Sequence, residues 1–332
     1  MKRVVVSEPR KVHIEEVPGP ERKPGEVLLR VCYVGICGSD LHAYQGTSPL
    51  ATYPIVPGHE LCCEVIESDG NFSPGDLVVV EPLLSCGHCY PCRVGRYNCC
   101  EQLKVLGVHT NGGMAELITL PIELLHRLPS GADPSFAPLI EMLSIGYHAC
   151  DRGRVERNDN LLIIGAGPIG LGAALVAKER GVKVGIVDPL ESRLYLSREL
   201  GIDFVFHVSD ELESRVISEY GCRPNVVLEA VGNPKTLEQG LEIVSAAGRV
   251  VFVGWTSQSP QWGPDSFLKK ELELLGSRNS HDIFPEVIDF YCRNLEKLKR
   301  LVTHRFKMEE IERAMNFIDT RSAQTMKVIM EW

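Results

Sequence analysis

The run Leu161-Leu162-Ile163-Ile164 passes directly into Gly165-Ala166-Gly167-Pro168-Ile169-Gly170, and few folds accept that junction. An apolar run ending in Gly-x-Gly-x-x-Gly reads as a buried strand turning into a helix. The first glycine permits the tight turn, the second lets a pyrophosphate approach the backbone, and the third lets the helix pack on its strand. The helix N-terminus offers free N–H groups and a positive dipole end to the anion. The next strand candidate, Lys183 to Val187, is followed by Asp188, an acceptor for a ribose 2′-hydroxyl that would repel a 2′-phosphate. The expected cofactor is therefore NAD rather than NADP, held by Gly165, Gly167, Pro168, Ile169, Gly170 and Asp188. Arg193 is placed either over the adenine or, equally, on a helix surface. A plain Gly-rich turn would show the same spacing, but not this strand before it and acidic strand end after it.

The rest of the chain extends this pattern. Leu161–Ile164, Lys183–Asp188, Asp203–His207, Asn225–Glu229 and Arg249–Gly254 are strand candidates, with helical spacing between them, as in Glu191–Leu200. Repeated β-α units imply a doubly wound parallel sheet. Before Pro138 the texture differs. Val4–Val6, Glu26–Val31, Cys62–Ile66 and Asp76–Val80 are short strand-like runs separated by Pro-Gly turns, an all-β pattern. Ala137–Cys150 and Lys307–Ile318 read as helices, and Lys327–Met330 as a last strand with no β-α partner, free to return to the first domain. A chain of 332 residues has room for two cores.

A net charge of −9 with scattered basic residues argues against nucleic-acid or anionic-membrane partners. Met1-Lys2-Arg3 with only three valines after it is too short an apolar run for a signal peptide. Leu161–Ala177 is long enough to be weighed as a membrane span, but its glycines and proline favour a strand feeding a helix. Twelve cysteines without an export signal point to metal rather than disulfides. Five of them lie between Cys86 and Cys100. Cys86, Cys89, Cys92 and either Cys99 or Cys100 can enclose one tetrahedral zinc, leaving no open position, so its role is expected to be structural. An iron–sulfur cluster and unligated cysteines are the alternatives; His88 is read as a bystander.

A second constellation has a different chemistry. Gly35-Ile36-Cys37-Gly38-Ser39-Asp40-Leu41-His42 precedes Gly58-His59-Glu60, and Glu141 is a lone carboxylate in the apolar Leu139-Ile140-Glu141-Met142. Each residue alone is more often structural. Together, Cys, His and carboxylate are the donors of a catalytic zinc, which keeps one position for water or substrate. A buried carboxylate such as Glu141 is costly unless paired or metal-bound.

On these motifs, together with Gly112-Gly113 before an Ala-Glu pair and the dinucleotide turn, the chain resembles the zinc-containing medium-chain dehydrogenase/reductase (alcohol dehydrogenase) family over nearly its whole length. It looks closest to the sorbitol and threonine dehydrogenase branch. Asn98–Gly113 and Lys269–Asn279 are similar to L-galactonate oxidoreductases and starvation-sensing zinc dehydrogenases. The resemblance implies a GroES-like, mainly β catalytic domain at 1–140 with a structural zinc lobe at 84–102. A Rossmann NAD-binding domain follows at 141–285, and 286–332 return to the catalytic domain. It implies two zinc ions per chain, Cys100 as the fourth lobe ligand, and Cys37, His59 and Glu60 on the catalytic ion, with Glu141 bound directly or through water. Met142 departs from the proline of many relatives.

The implied reaction oxidises a secondary alcohol, on a polyol or sugar acid, to a ketone. Zinc lowers the pKa of the substrate hydroxyl and NAD takes the hydride. Ser39 passes the proton through the nicotinamide ribose to His42, imidazole being the side chain that exchanges protons near neutral pH. Asp40 is expected to hold the His59 imidazole by a hydrogen bond, or simply to cap a turn. Arg278 is assigned to a substrate carboxylate or the cofactor, and Lys327 to the pyrophosphate. A threonine-type amino-alcohol dehydrogenase is the alternative enzyme. A zinc-free nucleotide-binding relative would have lost ligands that this chain keeps, and the acidic charge disfavours a zinc-finger nucleic-acid binder. A cytoplasmic homodimer or homotetramer acting on a small polar alcohol is expected.

Overall fold

The computed structural model describes residues 1–332. Its contacts separate into two compact units, Met1–Glu141 with Phe284–Trp332, and Met142–Ile283.

The second unit is a six-stranded, all-parallel sheet in the order Phe204–His207, Lys183–Asp188, Asn160–Ile164, Val226–Glu229, Arg249–Phe252, Glu273–Gly276. Its inner strands are runs of Val, Ile and Leu because both faces are covered, as a parallel sheet with crossover helices demands. Leu162, Ile164, Val187, Val227 and Val250 form one core with Phe206 and Leu241. Chain order reverses between Asn160–Ile164 and Val226–Glu229, which sets a crevice at the carboxyl ends of these two strands. The helix Pro168–Glu179 starts there with proline in its first turn. A β-carbon on Gly170 would sit 1.9 Å from the Gly165 carbonyl oxygen, so only glycine lets helix and turn close on each other. The apolar run from Leu161 is thus strand and then helix, and no helix in the chain is long and apolar enough to cross a membrane.

The first unit is built on a seven-stranded sheet. Its path runs Val302–Lys307, Lys327–Glu331, Glu26–Ile36, Glu60–Glu67, Leu77–Val80, Leu125–Arg127, with Leu117–Pro121 also paired to Glu26–Ile36. Val4, Val31, Val34, Leu61, Val65, Val78 and Met330 lie in its core. The last strand of the chain is antiparallel to the long strand Glu26–Ile36, Val328 opposite Ile36.

Two helix starts differ from the expectation. The helix expected over Lys307–Ile318 begins only at Ile311, after a 3-10 turn at Met308–Glu310. Lys307 is claimed by the strand Val302–Lys307, where it pairs with Glu331, and its N–H is capped by Glu310 at 3.2 Å. The helix expected from Ala137 runs Leu139–Arg152, because a 3-10 turn at Pro134–Phe136, capped by Asp133, uses the residues before it.

Candidate metal centres and dinucleotide turn

Cys37 directly follows the long strand Glu26–Ile36 and caps the helix Gly38–Gln45. Its N–H donates to Asp40 Oδ2 at 2.9 Å, while Asp40 Oδ1 accepts the Gly58 N–H at 3.1 Å. One carboxylate therefore ties together the two segments that carry Cys37 and His59. Sheet register adds the third member, since Glu60 opens its strand directly opposite Gly35. As a result the Cys37 sulfur, a His59 ring nitrogen and a Glu60 oxygen all lie within 4.8 Å of one another. His59 and Glu60 are buried and Cys37 is half-buried.

The chemistry of this set fits zinc: one thiol, one imidazole and one carboxylate, with room left in a four-coordinate shell. His59 Nδ1 and Ser39 Oγ are buried without hydrogen-bond partners, which a pocket complete in itself would not leave. Glu141 does not join the tight group but shares its field. Burial pushes its carboxyl up to about 7, against the pull of His59. Burial opposes a charged His59 ring, yet the Cys37 and Asp40 charges prevail and hold its pKa well above the ordinary imidazole value. These donors crowd ionisable groups into one buried place, an environment that a bound divalent cation would stabilise.

Two sequence expectations are corrected here. Asp40 does not hydrogen-bond the His59 ring: Oδ1 to Nδ1 is 3.9 Å, and the carboxylate oxygens instead accept the Cys37 and Gly58 N–H groups, as the turn-capping alternative expects. Lys327, assigned to a pyrophosphate, is buried against Glu60 instead, with Nζ 2.6 and 2.9 Å from the two carboxylate oxygens and 3.3 Å from the Ile36 carbonyl. The sequence did hold a signal for this: a lone lysine opening the apolar run Lys-Val-Ile-Met needs a buried anion if the strand is internal. Gly35 is a second residue that sequence reasoning missed. A β-carbon there would lie 2.0 Å from Glu60 Oε2.

Ser39 sits on the same short helix, two residues from Cys37. His42 is exposed one turn further on, its Nδ1 3.0 Å from Thr47 Oγ1. Arg278 follows the edge strand of the other unit, beyond Gly276.

In the second cluster, Cys86, Cys89, Cys92 and Cys100 each bring a sulfur within 4.8 Å of the others, and Cys99 is not among them. Backbone N–H groups point at the sulfurs, from Cys86 to Cys100 Sγ at 3.3 Å, Cys89 to Cys86 Sγ at 3.4 Å and Gln102 to Cys100 Sγ at 3.3 Å. The Glu101 and Cys92 N–H groups bring the Cys89 thiol down to about 6. Four such sulfurs fit a closed tetrahedral zinc. His88 turns away, its Nδ1 2.8 Å from the Cys86 carbonyl. The Tyr97 hydroxyl donates to Glu81 Oε1 at 2.7 Å and ties the lobe to the main sheet.

In the second unit the Gly165 N–H donates to the Val187 carbonyl at 2.8 Å, and Ala166 N–H to Asp188 Oδ2 at 2.9 Å. Arg193 Nη1 lies 3.5 Å from Asp188 Oδ2, and Arg193 Nε is buried without a partner.

A GroES-like sheet with a three-donor metal pocket and a four-cysteine lobe, on one chain with a parallel-sheet dinucleotide fold, defines a zinc-dependent oxidoreductase. Residues 23–130 match the alcohol dehydrogenase GroES-like domain and 168–293 the zinc-binding dehydrogenase domain. The chain is 39% identical to an uncharacterized zinc-type alcohol dehydrogenase-like protein of Haemophilus influenzae, over 99% of this chain and 98% of that one. It is 34% identical to the L-galactonate-5-dehydrogenase of Escherichia coli, over 88% and 86%. A crystal structure of the rspB alcohol dehydrogenase of Escherichia coli CFT073, complexed with NADH, superposes with a TM-score of 0.94 at 33% identity, covering 100% of this chain and 99% of that one. The chain belongs to the zinc-containing alcohol dehydrogenase family of medium-chain dehydrogenases, and is a zinc- and NAD-dependent enzyme acting on CH–OH groups.

Proposed function

We propose that this enzyme oxidises a secondary hydroxyl of a polyol or sugar acid to a ketone, with a preference for NAD over NADP. The convergence of Cys37, His59 and Glu60 on one buried point carries the reading. The likeness to an L-galactonate-5-dehydrogenase supports a sugar acid as substrate.

In this reading Cys37, His59 and Glu60 hold the catalytic zinc, with Glu141 bound directly or through water, and Cys86, Cys89, Cys92 and Cys100 hold the structural one. A catalytic zinc ion held there would supply polarisation of the substrate hydroxyl, and bound NAD would supply the hydride acceptor. Ser39 Oγ, buried and unpartnered, takes the hydroxyl proton. His42, exposed one turn further along the same helix, is the group that releases a proton to solvent. Asp40 fixes Cys37 and the Gly58 turn rather than the imidazole. Gly165, Gly167, Pro168, Ile169 and Gly170 receive the pyrophosphate, Asp188 the adenosine ribose, and Arg193 the adenine face. The active unit is a homodimer or homotetramer in the cytoplasm, working on a small polar alcohol without nucleic-acid or membrane partners.

The test is NADH formation on a panel of polyols, aldonates and L-threonine, run with the wild type, Cys37→Ser and His59→Ala. Turnover of an aldonate or polyol that vanishes in both variants, with NADH binding retained, is expected. Turnover of L-threonine alone would overturn the substrate class, and activity surviving in a zinc-free double variant would overturn the zinc role.

A further inference from the structure

We propose that Lys327 is a standing counter-ion for the catalytic metal pocket, a positioning residue that holds the Glu60 carboxylate in place when zinc is absent and releases it to zinc when the ion arrives. The inference rests on the reading of Cys37, His59 and Glu60 as metal ligands.

The pair is built into the sheet rather than hung on loops. Glu60 is fixed opposite Gly35 by strand pairing, and Lys327 by the pairing of its neighbour Val328 with Ile36. Lys327 is 3% exposed and Glu60 1%. The ammonium has three protons, and the structure gives it three acceptors, the two Glu60 oxygens and the Ile36 carbonyl. The space for this arrangement exists only because position 35 lacks a side chain.

The reason for such a pair lies in the charge balance of the pocket. Asp40, Glu60 and Glu141 are buried together with His59 and Lys327, and Lys327 is the cation that directly contacts Glu60. Without a metal ion, removing Lys327 leaves the buried Glu60 carboxylate without the cation that hydrogen-bonds both of its oxygens, which is strongly destabilising. With zinc bound, the ion supplies that charge. The contribution of Lys327 is therefore largest in the metal-free chain. It lets the pocket fold before zinc loads, and it makes zinc binding weaker and more reversible than the bare ligands would allow, since any stabilisation of the metal-free form is subtracted from the binding free energy.

The test compares wild type, Lys327→Met, Glu60→Gln and the double variant. Each is examined with the Cys37 site zinc-loaded and stripped while the four-cysteine lobe stays loaded, as checked by metal content. Lys327→Met is expected to lower the unfolding midpoint of the stripped form by about 5 °C, that of the loaded form by less than half as much, and to slow zinc release to a chelator by about tenfold. In the Glu60→Gln background the same substitution should have little effect. Equal losses in stripped and loaded protein, or a loss that persists with Glu60→Gln, would overturn the proposal. If Lys327→Met alone fails to fold, the double variant, free of both charges, must fold; its failure also overturns the proposal. Failure of the underlying metal reading is seen separately, as zinc content that Cys37→Ser leaves unchanged.

Discussion

Asp188 accepts the Ala166 N–H on Oδ2 at 2.9 Å and the Leu190 N–H on Oδ1 at 2.8 Å, so the acidic end of one strand holds the glycine turn that follows its neighbour. The residue proposed to select the cofactor thus also shapes the turn proposed to receive it. Asp188→Ala should raise the KM for NAD about tenfold or more, as expected for losing a charged hydrogen-bond acceptor, and raise that for NADP much less. Steady-state kinetics with both cofactors checks this. An unchanged NAD/NADP ratio would remove Asp188 from the ribose site.

Gly35→Ala should cost the catalytic zinc without unfolding the sheet. The added methyl carbon would lie 2.0 Å from Glu60 Oε2 and 3.0 Å from its Cβ, so the carboxylate must leave its position. Metal analysis should fall from two zinc ions per chain towards one, with turnover lost and NADH fluorescence titration unaltered. A variant that keeps both ions and full activity would show that Glu60 can move without consequence.

The lobe is joined to the body through a buried carboxylate. Glu81 accepts the Tyr97 hydroxyl at 2.7 Å and stands 3.2 Å from His126 Nε2, and the His126 ring stacks on Phe284 at 4.7 Å. Tyr97→Phe leaves a buried Glu81 oxygen without its donor, a loss of about 1–3 kcal/mol. The urea midpoint should drop accordingly, and a chelator should extract lobe zinc faster, while turnover per catalytic zinc stays near wild type. Unchanged chelation kinetics would mean that the lobe is held by other contacts.

Much of this was legible in the residues because the relevant signals are local. The Gly165–Gly170 turn, the acidic strand end at Asp188 and the cysteine spacing each report on a few adjacent residues, and the structure places them as backbone geometry requires. What stayed hidden depends on register between distant strands. Lys327 meets Glu60 across 267 positions of sequence, through two strand pairings that no local pattern encodes. The spacing of Asp40 from Cys37 fits both an imidazole partner and a turn cap; the Gly58 N–H, brought in from another segment, shows where its second oxygen goes. The start of the C-terminal helix was placed too early because Lys307 fits helical periodicity equally well, and strand pairing with Glu331 overrode it.

Adjacent cysteines at positions 99 and 100 offer the last discrimination. Both could complete the lobe by spacing, yet only Cys100 brings its sulfur among those of Cys86, Cys89 and Cys92, and it receives N–H groups from Cys86 and Gln102. Cys99 lies in the 3-10 turn Tyr97–Cys99, which directs consecutive side chains to different sides. Cys99→Ser should therefore keep both zinc ions and wild-type stability. Cys100→Ser should lose the lobe zinc, leave three sulfurs and two N–H donors without their partner, and cost several kcal/mol, because structural zinc contributes folding free energy directly. Metal content and thermal unfolding of the two single variants, prepared side by side, decide the point, and loss of zinc from Cys99→Ser would reverse the assignment.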